Sequence, residues 1–427
     1  MQRLSRTART SLPRRPHRSP ARRERGAVTI IFAITLTFGV VLGMLALSVD
    51  IGTITIERRQ LQNGADATSF ALAQTCAKDA GACDPNATRA SLELLASANA
   101  GDNLARLNPG RGINGQCARQ PSPATLLNMP LCPSAAATGA QALAATQDLG
   151  QCPPLPKWLR DDVSIPYVET YTMTRSTQPD DTVLPRFFSQ ALAGGGASPT
   201  TVSACARAAW GPPARAIHTL PMVASYCDWN FGSTSGSRYA PSGPYSPLPA
   251  NSSTPLPGAI SAGNFPIVIK AHDSSKDGTN ICGKRPNGAY YPGGFGWTQD
   301  DGTCNANLDA TGTILPGKQG ASVPTPCKDA LQSYVGQEVF IPVMTAVNAD
   351  GSYVVEGIAS FFLAGYKNAP SAQPKSYSVY QEPAGLCPGK CNGSVTYIWG
   401  WFTSGVRAVG GISSGPSRGA SVVVQAG

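Results

Sequence analysis

The sequence predicts an α+β protein: a single N-terminal transmembrane helix that continues into an extracytoplasmic helical rod, followed by a β-rich, disulfide-containing region. Three observations predict this fold class. Residues 26–49 carry no charged side chain, and as a helix they would extend about 36 Å, enough to cross a hydrocarbon core about 30 Å thick. All twelve cysteines follow this stretch. Short β-branched and aromatic runs separated by Gly/Pro turns fill the C-terminal half.

Changes in composition divide the chain into six segments. In order, they are a disordered basic cytoplasmic tail (1–25), the transmembrane helix (26–49), a helical rod with a second helix (50–100), a first extracytoplasmic region (101–231), a Ser/Gly/Pro-rich loop (232–263) and a β-rich extracytoplasmic region (264–427). This order predicts that the bulk of the protein lies beyond the membrane.

The net charge of +9 is concentrated in the first 26 residues. Nine of the 34 basic residues, all arginines, and one of the 25 acidic residues lie there, so this tail carries +8 of the total. A basic segment beside an apolar span stays in the cytoplasm, which places everything after residue 49 on the far side. The alternative is an RNA-binding arm. Because the arginines stop where the apolar run begins, no nucleic-acid partner is predicted.

The apolar stretch is predicted to continue as a helix outside the bilayer. Residues 50–73 contain no proline and only isolated glycines, and five residues fall at helical spacing, namely Ile54, Leu61, Ala65, Thr68 and Leu72. Within the span, Gly39 and Gly43 form a G-x-x-x-G pattern, which lets two helices approach closely. This pattern predicts a homo-oligomer through the helix, with a chance pair of glycines as the alternative.

The cysteines predict an oxidising compartment. They are even in number and absent from the tail and the span, which favours disulfides. The candidates are Cys76, Cys83, Cys117, Cys132, Cys152, Cys205, Cys227, Cys282, Cys304, Cys327, Cys387 and Cys391. Two short-range pairs are expected, Cys76 with Cys83 and Cys387 with Cys391. The second pair could instead bind zinc, but no further Cys or His pair with suitable spacing accompanies it.

Residues 50–73 also carry the sequence pattern of a known family. The pattern comprises Asp50-Ile-Gly52, the run RQLQNGADA from Arg59 to Ala67, and an Ala-rich stretch behind it. Together with the preceding apolar run, it resembles the N-terminal TadE/TadG-like anchor segment of Flp pilus-assembly TadG-like proteins. The resemblance covers residues 25–73 of the 427, so it describes this segment better than the rest of the chain.

The resemblance implies a single-pass cell-membrane protein that acts as a non-catalytic component of type IV-like Flp/Tad pilus assembly. Its implied partners are the lipid bilayer and other Tad/Flp assembly proteins. The implied interaction residues are Gly39, Gly43, Asp50, Gly52, Arg59, Leu61, Gln62, Asn63 and Asp66. The rod would present small residues to a partner helix, so leucine at Ala65 and Ala67 is expected to weaken complex formation. Cleavage after Gly26 is not expected, because Ile31 stands where pilin-like proteins carry glutamate.

Regular elements are also predicted beyond the rod. The expected helices are 87–100, 135–145 and 183–192, and the expected strands are 162–174, 201–210, 265–271, 339–347, 352–366, 396–402 and 421–425. The turn sequence at residues 348–351 predicts that the fourth and fifth of these strands form a hairpin. Strands at this spacing favour an antiparallel sandwich or barrel.

No enzyme, cofactor or metal site is predicted. His218 and His272 lie in no metal-ligand motif, and Ser413 fits G-x-S-x-G without the strand and helix that a nucleophile elbow needs. A membrane-tethered cell-envelope or adhesive binding module, using the aromatic residues around 290–297, is the alternative function. An envelope hydrolase is the third.

Overall fold

The computed structural model describes residues 21–119, 128–133, 152–174, 202–241, 243, 254–271, 292–309, 314–318, 322–386, 395–407, 411–413 and 415–427. The chain separates into two compact units. One comprises residues 1–56 and 184–200, and the other comprises residues 57–183 and 201–427. We refer to the second unit as the body.

The first helix is long and uninterrupted. The helices of the described residues are α1 (Ala21–Lys78), α2 (Pro85–Ala98), α3 (Lys157–Asp161), α4 (Tyr226–Gly232), α5 (Gly258–Ala262) and α6 (Leu331–Tyr334). No proline interrupts α1. At the start of α2, Asp84 Oδ1 accepts hydrogen bonds from the backbone N–H groups of Asn86 (2.8 Å) and Ala87 (3.1 Å). Pro85 occupies the first helical position, where a backbone N–H is not needed.

The rest of the body is built from short strands and a few long ones. In chain order the strands are β1 (Ala105–Leu107), β2 (Gln116–Arg119), β3 (Tyr167–Thr174), β4 (Ser203–Gly211), β5 (Arg215–Thr219), β6 (Met222–Ser225), β7 (Ile267–Lys270), β8 (Phe295–Thr298), β9 (Ala306–Asp309), β10 (Ile314–Leu315), β11 (Gly317–Lys318), β12 (Glu338–Val347), β13 (Tyr353–Lys367), β14 (Tyr377–Ser378), β15 (Tyr397–Thr403), β16 (Gly405–Arg407) and β17 (Ala420–Gln425). They form two large sheets and the separate pair β5–β9.

The six-stranded sheet combines strands from distant parts of the chain. Its order is β1-β3-β4-β17-β16, and β2 pairs with a different part of β3. β16 runs parallel to β17, while the other pairs are antiparallel. All eight residues of β3 are buried, so both faces of the sheet are covered. The last strand of the chain therefore completes a sheet that begins directly after α2.

The nine-stranded sheet is organised around the hairpin of β12 and β13. The order is β11-β8-β6-β12-β13-β15-β7, and β10 and β14 also pair with β13. The hairpin turn places Gly351 at φ +84°, which a side chain would strain. Ala271, directly after β7, forms a bridge with Phe295 of β8, so the sheet curls until β7 meets β8. Its largest fully buried side chains include Trp297, Trp399, Trp401, Phe361, Phe362 and Phe402.

The predicted transmembrane helix over residues 26–49 is wrong in this structure. Among the described residues, no helix combines the length and the apolar character that crossing a membrane requires. The β-rich, disulfide-containing part of the predicted fold class is present.

Most predicted elements that fall on described residues are present. The predicted hairpin corresponds to β12 and β13, the strand at 162–174 to β3, and the helix at 87–100 to α2. The predicted strands at 201–210, 265–271, 396–402 and 421–425 correspond to β4, β7, β15 and β17. The helices expected at 135–145 and 183–192 lie outside the described residues. Apart from the transmembrane segment, the division of the chain into segments stays a prediction.

The aromatic side chains buried in the nine-stranded sheet are expected to contribute to the free energy of unfolding. Trp401 is fully buried and stacks on Phe362 with ring centroids 4.6 Å apart. We expect Trp401→Ala to lower the free energy of unfolding by about 3–5 kcal/mol, because it removes apolar burial and leaves a cavity. Urea denaturation of the full chain measures this loss. The control Phe231→Ala, at a side chain that is 73% exposed, should change it by less than about 0.5 kcal/mol.

Candidate functional site

Within the body, α1 lies against the six-stranded sheet, and a row of threonines on β3 fastens it there. Every second residue from Thr170 to Thr174 donates its hydroxyl hydrogen to α1. The three bonds run from Thr174 Oγ1 to Glu57 Oε1 (2.8 Å), from Thr172 Oγ1 to the Leu61 carbonyl (2.8 Å) and from Thr170 Oγ1 to the Ala65 carbonyl (2.9 Å). Two strand residues advance about 6.8 Å and four helix residues about 6.0 Å. The spacing of alternate residues on β3 therefore matches the spacing of every fourth residue on α1 closely enough for three successive contacts.

Small side chains allow this close approach. On β4, Ala204 and Ala206 pair in register with Thr172 and Thr170, and both alanines are buried. Ala65 of α1 is fully buried against this surface. Leucine at Ala65 would push the helix away from the threonines. We therefore expect this substitution to disturb the fold of the body, and the weakening of a partner contact by leucine at Ala65 and Ala67 stays a prediction.

A glycine of α1 permits a second close contact, with α2. A Cβ atom added at Gly64 would lie 3.2 Å from the Ala96 carbonyl oxygen and 3.5 Å from the Ala96 Cα. Farther along the helix, Leu72 and Ala73 are buried in a core that includes Trp210 and Val423. α1 is thus enclosed by the sheet on one side and touched by α2 on another.

Polar side chains of α1 bind two more strands of the same sheet. Gln62 Nε2 donates to the Cys205 carbonyl of β4 (3.1 Å) and to Asp66 Oδ1 (3.1 Å). Gln425 Nε2 of β17 donates to Asp66 Oδ1 (3.0 Å) and to Ser69 Oγ (3.2 Å). The amide and carboxylate of the L-Q-N-x-A-D-A sequence therefore serve contacts within the chain.

The predicted interaction residues separate into two groups. Leu61 is fully buried, and Gln62 and Asp66 bind the sheet. Their expected role as contacts for another protein is therefore not supported by their position. In contrast, Arg59 and Asn63 are exposed. These two residues are four apart and so share one face of the helix.

The remaining predicted interaction residues lie on the first part of α1. Gly39, Gly43 and Gly52 have no atom within 4 Å of an added Cβ, so the space beside them is open. Ile51 and Ile56, near Gly52, are 55% and 58% exposed. The side chain of Asp50 lies outside the described part of the chain, although its backbone belongs to the helix.

The opposite face of the six-stranded sheet holds a buried ion pair. Arg207 Nε and Nη2 donate to Glu169 Oε1 at 2.8 and 2.7 Å, and both side chains are 0% exposed. Tyr171 donates its hydroxyl hydrogen to Glu169 Oε2 (2.6 Å). Burial, followed by the negative charge of Glu169, raises the pKa of Tyr171 above its usual range, so the phenol remains a donor. Arg207 also donates to the carbonyls of Pro153 (2.9 Å) and Ala426 (3.3 Å).

Two disulfides border this ion pair. Cys117–Cys132 and Cys152–Cys205 each bring two sulfur atoms close to the Glu169 carboxylate. Disulfide sulfurs are not thiolates, and the Glu169 oxygens already accept from Arg207 and Tyr171. Because a metal would need thiolates and a carboxylate with free lone pairs, the cluster is suited to holding the sheet together.

The structure identifies four disulfides among the described residues. They are Cys76–Cys83, Cys117–Cys132, Cys152–Cys205 and Cys304–Cys327. The first is the pair expected from sequence. Cys227 is also disulfide-bonded. Cys282, Cys387 and Cys391, and with them the second expected pair, lie outside the described residues.

The other sequence candidates gain no support as reactive or binding groups. Ser413 donates its backbone N–H to the Pro212 carbonyl (2.8 Å) beside the Pro213–Ile412 bridge, which is not a strand–turn–helix elbow. Phe295 and Trp297 are each 2% exposed and pack edge to face, so neither ring offers a face to carbohydrate. The His218 side chain, His272, Tyr290 and Tyr291 lie outside the described residues.

The threonine row was missed from the sequence, although its signal was present. Residues 169–174 read ETYTMT, and alternation along a strand places Thr170, Thr172 and Thr174 on one face. A strand face made of three threonines is unusual for a buried surface. It indicates a neighbour that supplies acceptors, which here is the backbone of α1.

Removing one hydroxyl tests the contribution of the threonine row. Thr172→Val keeps the side-chain shape but loses the bond to the Leu61 carbonyl, so we expect unfolding to become easier by about 1–2 kcal/mol. The matched control is Thr55→Val on the exposed part of α1, where the hydroxyl bonds only to the carbonyl of its own helix (2.8 Å). Urea denaturation compares the two. Equal effects would contradict a special role for Thr172.

Neutralising the buried carboxylate tests the ion pair. Glu169→Gln leaves the Arg207 charge buried without a counter-charge, and we expect a loss of about 3–5 kcal/mol. The control is Asp309→Asn in the pair with Arg215, where both side chains are about half exposed and where we expect at most about 1 kcal/mol. Thermal unfolding of both variants measures the difference, and a mild effect of Glu169→Gln would refute this assignment.

Comparison with known families assigns the first part of the chain. No curated protein and no solved structure gives a significant match. Residues 26–74 match the family model of Flp pilus-assembly TadE/G-like proteins, which confirms the resemblance predicted from the sequence. The match covers most of α1, including the residues that dock on the sheet. The chain therefore carries a TadE/G-like segment at residues 26–74, which supports a pilus-related role.

Proposed function

We propose that this protein is a non-catalytic component of Flp pilus assembly in which α1 has two working surfaces. One surface fastens α1 to the β-rich body. The other, on the same helix, contacts another assembly protein. The family match at residues 26–74 supports a role in pilus assembly. The positions of the motif residues support the assignment of two separate surfaces to α1.

The observation that carries the proposal is the split of one short motif between the two surfaces. Leu61 and Ala65 are fully buried within the body, whereas Arg59 and Asn63 are exposed. The buried motif residues attach α1 to the sheet of the body. The exposed members have no such structural task, and they offer a cation and an amide to a partner at helical spacing.

The first part of α1 supplies apolar surface for the same contact. Ile51 and Ile56 are more than half exposed, as are Phe38 and Leu42 farther up the helix. Exposed apolar surface of this extent is typical of protein contact sites. The open space beside Gly39 and Gly43 would admit a second helix, and a second copy of the chain is one candidate for it.

The disulfides indicate the cellular compartment in which the body functions. Four of them hold described parts of the body, and two border the buried ion pair. Such bonds persist in oxidising compartments and are rare in the cytosol. We infer that the body functions in the cell envelope outside the cytoplasm, where a pilus component would be exposed to other assembly proteins.

Site-specific photo-crosslinking in the producing cells tests the proposal. A photoreactive amino acid at position 59 or 63 should give a crosslink to another pilus-assembly protein. The same group at Arg89, on the exposed face of α2, is the matched control and should give none. The charge-reversing variant Arg59→Glu should reduce surface pili without changing protein abundance. Normal piliation, together with identical crosslinking from all three positions, would refute the assignment.

A further inference from the structure

The contact between α1 and the loop that follows α2 contains a buried carboxyl group. Glu57 is the first residue of α1 that belongs to the body, and it is 5% exposed. Its Oε1 accepts from Thr174 Oγ1 at 2.8 Å. Carboxyl groups are rarely buried without a cationic partner, so the neighbourhood of Glu57 requires an explanation.

The neighbour of Glu57 is a second carboxyl group. The Asp102 side chain lies within hydrogen-bond reach of Glu57, and Asp102 Oδ1 accepts from the Leu104 N–H (2.9 Å). One residue earlier in the loop, a Cβ added at Gly101 would lie 3.3 Å from Gln60 Nε2. The loop therefore lies against the first turn of α1 within the body at two points.

We propose that Glu57 and Asp102 form a proton-dependent clasp between α1 and the loop at residues 99–104. When Glu57 carries a proton, its hydroxyl donates to the Asp102 carboxylate while its other oxygen accepts from Thr174. When Glu57 loses that proton, two carboxylates face each other, one of them buried. The clasp then opens, and α1 is held at this end by fewer bonds.

The surroundings of Glu57 favour the protonated form. Burial raises the pKa of Glu57 above its usual range; the Thr174 hydrogen bond opposes this shift, and the Asp102 carboxylate adds to it. From β3 the neighbour is the uncharged Thr174, and from β1 it is Ala105, which pairs with Thr174 in register. Arg58 and Arg59, next along α1, are exposed. Among the described residues, Asp102 is the charged group that acts on Glu57.

The direction of the pH dependence follows from this shift. A carboxyl group whose pKa is higher in the folded state binds its proton more tightly there. Its contribution to stability is fully present below the unfolded-state pKa, and it is lost as the pH rises through the folded-state value. The clasp is therefore closed in acid and opens toward neutral pH, which is opposite to the behaviour of a salt-bridged carboxylate.

Two measurements on the purified full chain test the clasp. The first is the urea midpoint of the wild type and of Glu57→Gln, which keeps an oxygen for Thr174 and donates an N–H to Asp102. We expect the midpoint of the wild type to fall relative to that of the variant as the pH rises from 4 to 7. The control Glu93→Gln, at a half-buried carboxylate paired with Arg89 on α2, should not show this divergence.

The second measurement is the carbon-13 carboxyl titration of Glu57 itself. We expect its midpoint above the usual value of about 4.3, and a lower midpoint in Asp102→Asn, where the facing charge is removed. This variant keeps the proposal testable if Glu57→Gln folds poorly. A normal Glu57 midpoint, or one that Asp102→Asn leaves unchanged, would overturn the proposal, as would parallel pH profiles of the wild type and Glu57→Gln.

Discussion

The close approach of α1 to the six-stranded sheet is the constraint on which the rest of the body depends. Hydroxyl groups on β3 can reach helix carbonyls only if no large side chain stands between them, and this requires Ala65 on the helix and the alanines of β4 beneath it. The same approach brings Asp66 to Gln425 of the last strand. This hydrogen bond joins α1, near the start of the chain, to β17 at residues 420–425.

This constraint changes how the family motif is understood. Within it, Leu61, Gln62, Ala65 and Asp66 face the body's own sheet, so their identity is explained without a partner. The surface available to another protein consists of what the docking leaves exposed, which includes Arg59 and Asn63. On the far face of the sheet, the Glu169–Arg207 pair joins β3 to β4, and two disulfides beside it link β2 to Cys132 and β4 to Cys152.

The sequence predicted local features well and long-range contacts poorly. Helix continuity through residue 73 and the β12–β13 hairpin depend on neighbouring residues, namely the absence of proline and the turn at 348–351, and both could be predicted. Helical spacing also marked Leu61 and Ala65 as one face, but not what that face meets, because Thr172 lies 111 residues from Leu61. Likewise, no local pattern pairs Cys152 with Cys205 or Glu169 with Arg207. The transmembrane prediction depended on the uncharged run at residues 26–49, and no helix of the described residues has the length and apolar character that it requires.

Native-state hydrogen exchange of the α1 backbone tests the central claim most directly. If the threonine row and the alanine surface fasten α1 to the sheet, amides at residues 61–73 should exchange as slowly as those of β3 and β4, and they should become labile together with them as urea is added. Amides at residues 61–73 that exchange much faster than β3, in a separate transition at lower urea, would show that the helix is not part of the sheet's cooperative unit and would contradict this account.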